Sequence, residues 1–162
     1  ETTLFEYSAF FGSIQIFQFL HYNKAEITSE VWLCAIHSKN PELIHLLEEK
    51  SDELQDDLMN IYKSCLLESI KCNHNDLAYY IQNNLFEKRK FNINKMKDDV
   101  AEFALRYCNF AYIPNDYDIC EFFSLCSNNY LKAVNIVLKN HKNEIIELSK
   151  KHKTKDVLFF IF

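Results

Sequence analysis

A chain of 162 residues that is 48% hydrophobic and 15% aromatic can bury a substantial core, and it is too apolar for a disordered segment. One glycine and two prolines exclude a hairpin-rich all-β fold, whose tight turns draw heavily on glycine. A net charge of -5 lacks the basic face of a nucleic-acid binder, and no apolar run approaches the ~18 residues of a membrane span; neither partner is expected.

Helical periodicity predicts helices over residues 3–11, 13–22, 29–38, 41–50, 58–72, 74–84, 95–107, 118–127, 129–140, 143–151 and 154–161. The first two flank Gly12 in "YSAFFGSIQIFQFL", after which Ile16, Phe17, Phe19 and Leu20 fall on one helical face. The fourth is the best punctuated: Asn40 can cap it, Pro41 fits the first turn, and Glu42 suits the positive end of the helix dipole. Measured from Lys39, its Leu43, Ile44, Leu46 and Leu47 repeat the offsets found after Gly12. The same offsets recur from Asn73 (Leu77, Ala78, Tyr80, Ile81) and from Asn129 (Ala133, Val134, Ile136, Val137). From Lys153 they give Val157, Leu158, Phe160 and Ile161.

Each anchor is also preceded by a common pattern. Seven residues upstream sit Phe5, Trp32, Leu66, Phe122 and Ile146, and four upstream sit Ser8, Ala35, Ser69, Leu125 and Ser149. Large residues fill the space between helix pairs, whereas small ones admit close backbone approach. The unit is a helix, a short turn and a second helix, which must stack on its neighbours to bury its apolar face. The pattern is interrupted over about 86–117, by an insertion or a degenerate unit. Within it, residues 95–107 carry Val100, Phe103, Ala104 and Tyr107 on one helical face, and Pro114 biases Ile113 towards an extended crossing.

Chemical motifs are scarce. The single glycine excludes glycine-rich phosphate cradles, and no HExxH or C-x-x-C is present. Cys72 and His74 are read as a packed cysteine beside a turn histidine, and no catalytic residue, metal or cofactor is expected. The six cysteines fall mostly in apolar helical stretches, as expected of reduced core thiols in an intracellular, cytoplasmic protein. The runs "EKRKF", "KKHKTK" and "EEKSDELQDD" read as solvated segments.

"TLFEYSAFFGSIQIFQFL", with Thr3, Phe5, Ala9 and Gly12 in register, resembles the core of the ankyrin repeat; "EVWLCAIHSKNPELIHLL" and "SCLLESIKCNHNDLAYYI" follow with decreasing fidelity. "AFFGSIQIFQFL", "AIHSKNPELIHLLEE" and "ESIKCNHNDLAYYIQNN" together are similar to an uncharacterised helical domain that precedes ankyrin arrays in a large family of protist proteins. The anchors are spaced by 27, 34, 56 and 24 residues, a departure from the ankyrin period of about 33.

The resemblance implies an all-α fold over 1–162, an irregular ankyrin-like solenoid of stacked antiparallel helix pairs. It implies a non-catalytic interaction or scaffold domain that binds other proteins through a concave helical surface. In ankyrins that surface includes the two residues before the turn glycine, which correspond here to Phe10 and Phe11, His37 and Ser38, Lys71 and Cys72, and Ser127 and Asn128. The competing reading is that Phe10 or Phe11 is simply buried by a neighbouring helix. The competing reading of the whole is an architectural cap on the N-terminal side of a longer ankyrin array, with no partner of its own. Phe159 and Phe162 lie off the apolar template of "KTKDVLFFIF", so further ankyrin repeats of the same chain are expected beyond Phe162.

Overall fold

The computed structural model describes residues 2–51, 57–92 and 96–112, together with 134–135, 137–139, 142–143 and 146–147. The chain divides into two compact units, Glu1–Phe103 and Ala104–Phe162. The fold is all-α, and no strand occurs among the described residues. In chain order the helices are α1 (Leu4–Phe10), α2 (Ile14–Tyr22), α3 (Ser29–Ser38), α4 (Pro41–Glu49), α5 (Leu58–Lys71) and α6 (Asn75–Tyr80). A π-helical turn (Ile81–Leu85) carries α6 directly into α7 (Phe86–Lys88), and α8 (Lys97–Arg106) follows. None of these helices is long and apolar enough to cross a membrane.

The expected boundaries hold closely for α1 to α5 and α8. The helix expected over 74–84 runs further, to Lys88. Leu85 and Phe86 are both buried, and the wider π turn keeps them on the inward side with Ile81. The helices expected over 118–127 and 154–161, and the crossing at Pro114, lie outside the described residues. The described positions within 129–140 and 143–151 are helical.

Local chemistry starts these helices. Thr3 and Glu6 form a reciprocal capping box on α1. Asn40 accepts from the Glu42 amide at 3.0 Å, with Pro41 opening α4 as expected, and Asp57 accepts from the Met59 amide at 2.9 Å to start α5.

The stops are more unusual. Gly12, Lys24, Lys39, Asn73, Lys90 and Cys108 all adopt the left-handed conformation, with φ between 51° and 68°, and only Gly12 is a glycine. At five of these positions the backbone closes as a Schellman motif. After α1, for example, the Gly12 and Ser13 amides donate to the carbonyls of Ala9 and Ser8, and after α5 those of Asn73 and His74 donate to Ile70 and Ser69. At Lys39 the Ser38 hydroxyl helps, donating to the Ala35 carbonyl at 2.7 Å and accepting from the Asn40 amide at 3.1 Å.

Within the first unit α1 packs on α3 and α3 on α5, while α2, α4 and α6 lie against α1, α3 and α5 respectively. Phe5, Trp32 and Leu66, the large residues of the repeat, are all buried, as are the small residues Ser8, Ala35 and Ser69. The two serine hydroxyls donate to carbonyls of their own helices, Ser8 to Phe5 at 2.6 Å and Ser69 to Cys65 at 2.7 Å, so their close packing leaves no orphaned donor. The turns are also tied to one another. Asn40 Nδ2 donates to the Gly12 carbonyl at 3.1 Å, and His74 Nδ1 donates to the Ile36 carbonyl at 3.1 Å. An ion pair joins Lys63 of α5 to Asp99 of α8.

The apolar template of the second helices is satisfied unevenly. Leu43, Ile44 and Leu47 of α4 are buried, as are Ala78 and Ile81. In α2 only Phe17 is buried; Ile16 and Phe19 stand exposed. The principal packing partner of α2 is α1, which takes the Phe17 side and leaves the other open. Of the described cysteines, Cys65 is a buried thiol, Cys34 and Cys72 are half-buried thiols and Cys108 is an exposed one.

Gly12 is constrained twice. Its φ of 65° is unfavourable for an L side chain, and an added Cβ would stand 3.2 Å from the Cβ atoms of both Ser38 and Asn40. Gly12→Ala is therefore expected to cost about 2 kcal/mol, since the left-handed conformation alone costs roughly 1–2 kcal/mol. Urea unfolding checks this: the midpoint falls while the slope of the transition stays unchanged.

Candidate functional site

The C-terminal ends of α1, α3 and α5 come together at one surface. Phe10 and Phe11 are 42% and 69% exposed, so neither is buried under a neighbouring helix. Their rings meet edge to face with centroids 5.2 Å apart, and Tyr7 lies nearly parallel to Phe11 at 6.2 Å. On its other side Phe10 stacks on His37, at 5.0 Å and 27° between planes.

His37 passes the contact on to α5. Its Nε2 lies 3.2 Å from Glu68 Oε1, and its Nδ1 lies 3.8 Å from Cys72 Sγ. Cys72 Sγ is also 3.8 Å from Glu68 Oε1, and Lys71 Nζ donates to both Glu68 oxygens at 2.9 and 3.0 Å. Burial, followed by the Glu68 charge, pushes the Cys72 thiol up from its ordinary pKa. The result is a strip that is aromatic on α1 and polar on α5.

Of the expected surface residues, Phe10, Phe11, His37, Lys71 and Cys72 thus form one continuous surface. Ser38 is spent on the turn after α3, and Ser127 and Asn128 lie outside the described residues. Tyr7 and Glu68 join the surface without having been expected there. Each stands four positions before an expected residue, Phe11 and Cys72 respectively, and that spacing places side chains on one helical face. The pairing of Cys72 with the nearby His74 does not form. His74 is committed to the Ile36 carbonyl, and the histidine that meets Cys72 comes from α3. One donor atom each from His37, Glu68 and Cys72 lies within 4.8 Å of the others, a set able to hold a metal ion.

A second feature lies between the start of α4 and the start of α6, a groove of about 480 Å³ lined by Lys39, Ile44, His45, His74, Leu77 and Tyr80. Tyr80 donates its hydroxyl proton to Glu48 Oε2 at 2.6 Å and accepts from His45 Nδ1 at 3.2 Å. Lys88 donates to Glu48 Oε1 at 2.8 Å. Burial acts to raise the Glu48 pKa, but the hydrogen bonds from Lys88 and Tyr80 and the Lys88 charge outweigh it, so the carboxyl sits below its ordinary range. Burial, with Glu48 as the next cause, raises the Tyr80 phenol, which stays a donor.

Comparison with known proteins gives no matching family model, no matching curated protein and no matching solved structure.

Two groups, His74 in the groove wall and Glu48 behind Tyr80, are expected to make stability depend on pH. Burial depresses the His74 pKa below 6.5, so its contribution is complete above about 6.5 and is lost as pH falls through the lower folded value. The Glu48 pKa is held below 4.5, so that contribution is present above 4.5 and is lost as pH falls through its depressed value. Urea midpoints measured from pH 8 to about pH 3 are expected to decline in these two windows. His74→Gln flattens the upper decline and Glu48→Gln the lower one.

Proposed function

We propose that this chain is a non-catalytic protein-interaction domain, an irregular ankyrin-like solenoid of stacked antiparallel helix pairs that binds partner proteins through the surface at the ends of α1, α3 and α5. The observation that carries the reading is the aromatic strip of Tyr7, Phe11 and Phe10, which continues onto His37 at the positions that ankyrin repeats use for binding. Among the described residues, seven of the eight large apolar side chains that stand exposed lie between Leu4 and Tyr22. Such a concentration marks a surface that something covers. Because these rings are held by stacking against one another and against His37, little ordering cost remains to be met on binding. The order of packing, α1 on α3 on α5 with a second helix beside each, supports the solenoid.

The architectural reading fits less well. A terminal cap on a repeat array presents a polar outer face, whereas α1 and α2 expose Leu4, Ile16 and Phe19. The free thiols of Cys34, Cys65, Cys72 and Cys108 agree with a reducing intracellular, cytoplasmic setting.

Affinity capture with the wild-type chain and two variants tests the proposal. Phe10→Ser with Phe11→Ser is expected to lose the captured partners, because buried aromatic anchors carry most of an interface's energy. Tyr22→Ser, on a side chain 88% exposed at the end of α2, is expected to keep them. Partners retained equally by the double variant, with its helical circular dichroism intact, contradict the proposed surface, and capture of no partner by the wild-type chain favours the architectural reading.

A further inference from the structure

His37, Glu68 and Cys72 present an imidazole, a carboxylate and a thiol on two different helices, each with a donor atom within 4.8 Å of the others. Their contacts measure 3.2 Å between nitrogen and oxygen, 3.8 Å between sulfur and nitrogen, and 3.8 Å between sulfur and oxygen. Zinc bonds of ~2.0–2.3 Å in a tetrahedron hold such atoms roughly 3.3–3.6 Å apart. The first contact is made by His37 Nε2 and the second by Nδ1; with one nitrogen serving both, the three donor atoms lie within 4.8 Å of one another, and a turn of the imidazole draws them towards one triangular face of a tetrahedral site.

The arrangement is built rather than adventitious. Glu68 and Cys72 are one helical turn apart, so both point to the same side of the end of α5. The left-handed stop at Asn73 fixes Cys72 there, with the Cys72 amide bonded to the Glu68 carbonyl at 2.9 Å. His37 ends α3 and is held on one face by the Phe10 ring. Its side chain is 33% exposed and that of Glu68 18%, which is open enough for an ion to enter and for the imidazole to turn. Turning is needed because its two contacts use different ring nitrogens, and an ion takes one of them.

We infer that His37, Glu68 and Cys72 bind a divalent transition cation of the zinc class, through three protein ligands with the fourth position open. Nitrogen, sulfur and oxygen together suit zinc or cobalt, whereas magnesium and calcium prefer all-oxygen sites. Binding breaks the Cys72 S–H bond, releases that proton to solvent and forms a sulfur–metal bond; Glu68 and neutral His37 supply lone pairs. Lys71 keeps one Glu68 oxygen while the other turns to the ion. The fourth position is left to water. The inference does not depend on the interaction proposal, since it is read on the purified protein alone.

Cobalt(II) titration of the reduced chain tests it, because a cobalt–thiolate bond gives a charge-transfer absorption that imidazole and carboxylate ligands do not. One equivalent is expected to produce the band, zinc(II) to abolish it by displacement, and Cys108→Ser to leave it intact. Cys72→Ser is expected to remove the band. His37→Gln and Glu68→Gln are expected to weaken cobalt binding by more than the ~10–100-fold that loss of a supporting partner costs a metal site. Absence of the band in the wild type, or its survival in Cys72→Ser, overturns the inference. If Cys72→Ser fails to fold, wild-type cobalt affinity in both His37→Gln and Glu68→Gln overturns it equally.

Discussion

At Gly12, Lys39 and Asn73 the backbone leaves the right-handed helix for a single left-handed residue, and the first unit of the protein depends on that step. The chain turns back at these three stops, and α1, α3 and α5 are each followed within a few residues by a partner helix. Placing a non-glycine residue in this conformation costs on the order of 1 kcal/mol each time. What offsets it is the burial that the turn makes possible. Phe5, Trp32 and Leu66 are buried, Phe5 against Phe17 of α2 and Trp32 against Tyr62 of α5, and the small residues Ser8, Ala35 and Ser69 are buried with them. The turns also brace one another, through Asn40 with the Gly12 carbonyl and His74 with the Ile36 carbonyl.

The same step creates the candidate surface. The residues immediately before a left-handed stop lie at the exposed end of a first helix, beyond the last core position. Phe10 and His37, two residues before their stops, and Cys72, one before its own, occupy that end of α1, α3 and α5, and the packing of those helices brings them into a row. One physical arrangement thus accounts for the aromatic strip and for the convergence of His37, Glu68 and Cys72.

Much of this is legible in the amino-acid sequence. Helices α1 to α5 carry punctuation of their own, such as Asn40 and Pro41 at a start or Gly12 at a stop, and local chemistry of that kind can be read residue by residue. The anchors found by apolar spacing, Gly12, Lys39 and Asn73, are the left-handed residues themselves, although nothing about lysine announces that conformation. Tertiary geometry is less accessible. The exposure of Ile16 and Phe19 depends on what lies beside α2, and their spacing is the same as that of the better covered Leu43 and Leu46. The meeting of His37 with Cys72, 35 residues apart, depends on how α3 lies on α5, so adjacency in sequence points instead to His74. The extra length after α6 follows from the burial of Leu85 and Phe86, which a polar stretch at Gln82, Asn83 and Asn84 conceals.

Lys39 offers the most direct test of the left-handed stop, because it is exposed and its φ is 51°. Glycine relieves the conformation at that position, whereas a β-branched residue is a severe outlier there. Urea unfolding of Lys39→Gly and Lys39→Val separates the two effects. An unchanged or higher midpoint is expected for Lys39→Gly and a clearly lower one for Lys39→Val. Equal stability of the two variants would contradict this, because the turn would then place no demand on the backbone at residue 39.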